Sequence, residues 1–458
     1  MKNLAVVVAG LLVLTGCSSV EPEDVSLPVQ TEEAVQDTRP SDDDVLVEVT
    51  SSTDEGELEP VDAPIVEEEV VQEDVQEVVQ VSEPEVSETP EYDEDVIIAE
   101  PSFESTYLDY ITDLNTCKLQ QTNRVGYENK GFPYSTGQAA RSLGTVNIAL
   151  VAMDFDNAVG LVNVGQRFGD VPTKMKQWSD KWSRGNMQYN VQFHPEWIRA
   201  PKGAEWYNCP ECHGEGVRKQ SREDALNQVI SAIDPYYNLR DIDFIAIVVP
   251  EKADKEFYFG VYGPVSISTN EGTQSFGIFG GLGINENIPT LWDTLIHESL
   301  HFQGFVGHGP GNGTEYGIMQ MQWGRSKAIN IWEGFLAGWY DEEEVACVEA
   351  SDIDAPIYGK LSSLDSFGAG HEGLVIRLNA EEAIVVEHRT VFGSELLAYK
   401  LNVNAPSYRN DMGGRLADER NWWSYILEGD GNVRIDKSVS FGEVTIKNLG
   451  NGRLEISR

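Results

Sequence analysis

Basic side chains are scarce in this 458-residue chain, where 33 Lys and Arg stand against 76 Asp and Glu for a formal net charge of −43 at pH 7. Such a chain is excluded from nucleic-acid binding, which depends on neutralising phosphates, and gains nothing from an anionic membrane surface. The shortage is greatest from Ser18 to Glu100, where Arg39 is the one basic residue against 29 acidic ones and aromatics are almost absent. A segment with so little apolar bulk cannot offset the entropy of ordering its backbone. It accounts for −28 of the net charge, so the acidity belongs mostly to a tether and not to a folded body. The apolar run Leu4 to Leu14 is too short to span a bilayer, and cysteine is limited to five residues.

The start of the chain reads as an export signal. Met1-Lys-Asn is a short basic opening, and Leu4 to Leu14 has the length of a signal h-region. Leu14-Thr-Gly-Cys17 resembles the bacterial lipoprotein box, which implies cleavage before Cys17 and lipidation of that residue. Acyl chains contribute about 0.8 kcal/mol per buried methylene, so several on one residue hold a protein durably at a membrane. Ser18, in place of an aspartate, points to the outer membrane; an ordinary secreted protein is the alternative. The expected organisation is a signal and lipobox over 1–17, a disordered acidic tether over 18–103 and folded chain beyond. Self-repulsion should keep the tether extended, and the membrane is reached through the lipid alone. Attraction of calcium or of a protein partner is the other use of such an acidic run.

The chemistry of the chain concentrates in His297-Glu-Ser-Leu-His-Phe-Gln-Gly-Phe-Val-Gly-His308. On a helix, His297 and His301 project from one face, where two imidazoles can share a cation. Catalytic zinc takes three protein ligands and keeps a fourth position for water. Glu298 is placed as the general base for that water, and His308 is the candidate third ligand, with Glu315 as the alternative. Thr290-Leu-Trp-Asp293 has the character of a capping box, and Gly304 can end the helix in a left-handed conformation that returns the chain towards the metal.

This stretch resembles the metzincin pattern HExxHxxG, continued by a third histidine and a methionine turn. The usual place of the third histidine is taken by Gly307, and His308 follows one residue later. Glu315-Tyr-Gly-Ile-Met319, Trp323-Gly-Arg-Ser326 and Trp332-Glu-Gly-Phe-Leu-Ala-Gly-Trp339 resemble the post-site segment of the immune inhibitor A-like secreted zinc metallopeptidases. Val146-Asn-Ile-Ala-Leu-Val-Ala-Met-Asp-Phe155 resembles their first core strand, so the likeness spans roughly residues 140 to 350. It implies an α+β fold: a metzincin-like catalytic domain over 104–350, with a mixed twisted sheet and an active-site helix. It further implies Met319 as the hydrophobic floor of the site and a substrate-pairing edge strand near the glycine-rich Phe276 to Gly283. A plain bulge is the other account of those glycines. Tyr316 is a candidate oxyanion donor, with packing near the methionine turn as the alternative.

Elsewhere, residues 145–155 and Asp243 to Pro250 are nearly continuous apolar runs, as in strands covered on both faces. Ser221 to Ile233 reads as an amphipathic helix between them. After Ser351, short alternating runs around Leu374, Ile384, Leu397 and Thr445 suggest a β-sandwich-like domain over 351–458. His371 and His388 fall there and are not expected to bind zinc. Glu428-Gly-Asp-Gly-Asn432 offers a structural calcium loop, although a tight turn is the simpler account because one acidic turn lacks the ligand count. Four cysteines outside the lipobox allow three pairings. Cys117 with Cys347 and Cys209 with Cys212 are favoured. Cys209-Pro-Glu-Cys212-His213 also matches a haem c attachment pattern, with no other haem signal to support it.

These features together point to a lipid-anchored zinc endopeptidase of the bacterial cell envelope, with one catalytic zinc ion and a protein or peptide substrate. The alternatives are a non-catalytic surface-binding protein with a degenerate or structural metal site, and a zinc hydrolase acting on a non-peptide amide. Glu298 favours an enzyme, because a structural site has no need of it.

Overall fold

The two continuous apolar runs become adjacent central strands of one sheet. β1 (Gly144–Asp154) is buried almost throughout, and it is followed by α1 (Val164–Phe168) and α2 (Val171–Trp182). β2 (Met187–Phe193) and the short β3 (Ile198–Arg199) come next, then α3 (Arg222–Ile233) and the fully buried β4 (Phe244–Val249). β5 (Gly260–Thr269) and β6 (Gly272–Asn285) form a hairpin. The strand order is β2-β1-β4-β6-β5, with β3 beside the end of β1. β2, β1, β4 and β6 are parallel, and β5 is an antiparallel edge. The computed structural model describes residues 106–122, 124, 129–135, 140–208, 222–257, 260–305, 315–393, 395–405, 432–433 and 436–458.

Alternate residues of β1 feed two separate cores, as the two-residue period of a strand requires. Val146, Ile148 and Leu150 pack on the face that carries Leu295 and Leu300, whereas Ala149, Val151 and Met153 pack with Ala225, Val229 and Ile233 of α3. The glycine-rich run lies within β6, so it is interior to the sheet; the edge beside it belongs to β5. Gly281 and Gly283 have φ of 89° and 90°, and the pairing register of β4 with β6 shifts between Ile247 and Val249. The bulge account of these glycines therefore holds.

α4 (Leu291–Gln303) and α5 (Ile331–Ala337) follow, and the remainder of the chain is β-rich. Its strands are β7 (Val345–Glu349), β8 (Ile357–Lys360), β9 (Gly373–Arg377), β10 (Glu382–Arg389), β11 (Glu395–Asn402), β12 (Asn432–Val433), β13 (Ser438–Phe441), β14 (Val444–Gly450) and β15 (Arg453–Ser457). They form sheets of order β12-β11-β10-β9-β7 and β13-β14-β15-β8. Ile376, Ile384 and Val386 of the first share a core with Ile357, Ile446 and Ile456 of the second. The opposite face of the first sheet, through Val375, Val385 and Tyr399, joins the core that holds α4 and α5.

The fold is thus α+β, with several sheets and few helices. The expected boundary at residue 350 falls inside a paired sheet, since β7 runs parallel to β9 from Val345↔Gly373 to Glu349↔Arg377. Cys117 and Cys347 form the expected disulfide, with sulfurs 2.07 Å apart, tying the turn Leu114–Cys117 to β7. Cys17, Cys209, Cys212, the signal run and residues 428–431 lie outside the described residues. Among the described residues no helix is long and apolar enough to cross a membrane.

Candidate metal centre

The site is built on α4, whose Leu291, Leu295, Ile296, Leu300 and Phe302 are buried. The expected capping box does not form: Thr290 is extended, with φ −135° and ψ 112°, and makes no side-chain cap. Asp293 is drawn instead to Lys327, whose Nζ lies 2.9 Å from its Oδ2, while its Oδ1 accepts from the Thr294 N–H at 2.8 Å and its charge favours the positive end of the helix. The C-terminal end is as expected. Gly304 adopts φ 98°, its N–H donates to the carbonyl of His301 at 3.0 Å, and the Phe305 N–H donates to the carbonyl of Leu300 at 3.0 Å.

His297 and His301 converge across one turn of this helix. Their Nε2 atoms are 3.2 Å apart, with ring planes 84° from parallel. The other nitrogen of each ring meets a backbone carbonyl: His297 Nδ1 lies 2.9 Å from the oxygen of Ile318 and His301 Nδ1 3.2 Å from that of Phe305. A carbonyl only accepts, so the two Nδ1 atoms are donors and both Nε2 atoms turn lone pairs towards one another. Two facing lone pairs repel unless a proton or a metal cation lies between them. Tetrahedral zinc with Zn–N bonds of about 2.0–2.1 Å separates two ligand nitrogens by about 3.3–3.4 Å, close to the spacing here. The backbone bonds at Nδ1 are also the support that metal-binding histidines ordinarily have. The pair therefore fits zinc.

From Asp293 to Leu300, Glu298 is the one residue that is not buried. His308 lies outside the described residues. Glu315 is not drawn to the histidines, for its Oε2 receives Arg325 Nε at 2.6 Å. Among the described residues no third His, Cys, Asp or Glu gathers with the pair. Met319 is fully buried in the core that holds Leu295 and Leu300. Tyr316 is 4% exposed, with its ring edge-on to Phe392 at 5.3 Å.

Sequence reading missed the two carbonyls of Ile318 and Phe305, because a backbone acceptor leaves no trace in residue type. It also missed a buried polar cluster beside the site, formed by Glu333, Glu387, Arg389, Asn330 and Tyr399. Glu387 and Arg389, two apart at the end of a strand whose middle is the apolar run Ala383 to Val386, were its only visible sign. Burial, reinforced by the neighbouring Glu387 charge, pushes the Glu333 carboxyl up to about 8. A groove of about 490 Å³ beside the first turn of α4 is lined by Trp178, Trp182, Trp292 and Lys327, and neither histidine reaches it. His371 and His388 stand apart from the histidine pair of α4, the former 2.8 Å from the hydroxyl of Tyr107 and the latter buried in β10.

No protein-family model and no curated protein matches this chain.

Proposed function

We propose that the chain is a zinc-dependent endopeptidase, held outside the cytoplasm by a lipid on Cys17 and displayed on the acidic tether. The observation that carries this reading is the pair of Nε2 atoms 3.2 Å apart, each imidazole anchored through Nδ1 to a carbonyl. His297 and His301 would hold the ion, with His308 as third ligand. Zinc bound there would polarise the scissile carbonyl and lower the pKa of the attacking water. Glu298, the one residue from Asp293 to Leu300 that is not buried, takes the proton of that water on its carboxylate and returns it to the leaving amine. Ile318 and Phe305 keep both rings in one tautomer and orientation through the cycle. The antiparallel edge β5 suits an extended peptide, which could pair with it as a further strand. The likeness to metzincins and to the immune inhibitor A-like peptidases agrees with this arrangement.

The test is hydrolysis of a diverse peptide library by the purified full chain, wild type beside Glu298→Ala, with zinc quantified in both. The expected result is cleavage by wild type, a loss of about 10²–10⁴-fold in Glu298→Ala, and unchanged zinc content. Zinc without cleavage in either protein would favour a binding protein or a non-peptide amide substrate, and absence of zinc would sink the site.

A further inference from the structure

We infer that Arg389, on the C-terminal β-sheet, is a positioning residue of the metal centre, stapling the loop that orients His297; the inference rests on the zinc reading above. Arg389 ends β10 and is fully buried. Its Nη2 donates both to the carbonyl oxygen of Tyr316 and to Oγ of Ser326. One nitrogen thus grips the loop between residues 316 and 326 near both of its ends. Between those grips, Ile318 accepts from His297 Nδ1 at 2.9 Å and donates its own N–H to Ala328 at 3.0 Å. The carbonyl that sets the His297 ring is therefore two residues from the Tyr316 carbonyl held by Arg389.

The rest of the guanidinium faces Glu387 of its own strand, Asp365, and Asn330 at the start of α5. Nη1 lies 3.1 Å from Glu387 Oε2 and 3.5 Å from Asn330 Oδ1, while Nε faces Asp365 Oδ1 at 3.5 Å as an ionic approach without a hydrogen bond. Glu387 Oε1 in turn accepts from the Tyr399 hydroxyl at 3.0 Å and from the Ile331 N–H at 3.2 Å. A buried ion pair adds little net stability, because desolvation offsets most of its Coulomb attraction. A planar fork whose donors point in fixed directions does supply geometry, which a lysine cannot reproduce. The β-rich half, through Arg389, is thus part of the scaffold of the site.

The test measures zinc affinity of the full chain by chelator competition, together with the ¹⁵N–¹H imidazole signal of His297 Nδ1 without metal. Arg389→Lys and Arg389→Met are compared with wild type and with Arg377→Met, whose arginine pairs with Glu349 at 2.7 Å on the neighbouring strand. The expected result is zinc binding weakened by about tenfold or more in both Arg389 variants and a shifted or exchange-broadened His297 signal, with Arg377→Met like wild type on both counts. Should Arg389→Met fail to fold, Arg389→Lys and Ser326→Ala carry the test, the latter removing one grip without stranding a charge. Folded Arg389→Lys and Ser326→Ala that keep the wild-type His297 signal and bind zinc within twofold of wild type would overturn the inference. If wild type itself binds no zinc, the zinc reading fails, and the His297 signal still decides whether Arg389 sets that ring.

Discussion

Gly277 of β6 lies directly beneath Phe302 of α4: a Cβ built on the glycine would stand 2.0 Å from Cε1 of the ring. The helix that carries the histidines is therefore seated on backbone. The Phe302 ring also packs on Phe244 of β4, centroid to centroid at 4.7 Å, and cannot easily retreat. Gly277→Ala should destabilise the fold by about 1–3 kcal/mol, the usual cost of an added methyl in a packed core. Adding Phe302→Leu to Gly277→Ala should recover part of the loss, as urea denaturation of the two single variants and the double variant would reveal; simple additivity would argue against the contact.

Metal binding should be readable in stability as well as in activity. A ligand held only by the folded state stabilises it by about 2.7 kcal/mol at a free concentration one hundred times its Kd. Zinc is expected to raise the melting temperature of wild type and of Glu298→Gln alike, because the glutamate binds no metal in this reading. His297→Ala and His301→Ala should lose the shift, and calcium should not produce it. Thermal scans with and without a chelator check all four, and a zinc shift that survives in His301→Ala would place the ion elsewhere.

Much of this arrangement could be read from residue order, and the failures have physical causes. Ala225, Val229, Ile230 and Ile233 all fall on the buried side of α3, because an amphipathic period reports burial directly. The strands expected around Ile384 and Leu397 form, as does the Cys117–Cys347 bond. Periodicity says nothing, however, about which element covers a buried face. Hence the run Phe276 to Gly283 could not announce that its Gly277 is a seat for Phe302, although the edge expected near it is there in β5. Nor does residue order show that β7, before the boundary drawn at residue 350, pairs in parallel with β9 beyond it, because the two segments look unlike in sequence. Thr290 has the residue type of a cap, yet Lys327, thirty-four residues beyond Asp293, decides where that carboxylate points.

The Cys117–Cys347 disulfide closes a sequence separation of 230 residues around the sheet that carries α4. Cross-linking so long a loop restricts the unfolded chain, and its loss should cost about 2–5 kcal/mol. Replacing both cysteines with serine should lower the urea midpoint by a corresponding amount while zinc stoichiometry in the native range stays the same. A midpoint that does not move would show that the reduced chain keeps these ends together by β7 pairing alone.

The buried carboxyl of Glu333 gives a pH dependence with a definite sign. Its pKa rises from 4.5 to about 8, through burial first and the Glu387 charge second. Between those values the folded state keeps a proton that the unfolded state has released. The stabilising contribution is therefore complete below about 4.5 and is lost as pH rises towards 8, at about 1.4 kcal/mol per pH unit within the window. Glu372, raised to about 7 by burial against the pull of Arg184, adds a slope of the same sign. Glu333→Gln keeps the shape, carries no proton to lose, and should flatten the decline between pH 5 and 8. Denaturant midpoints of wild type and Glu333→Gln at intervals across that range measure the difference. Parallel curves would mean that Glu333 is ionised in the folded protein, which would require a cation beside it in place of the proton.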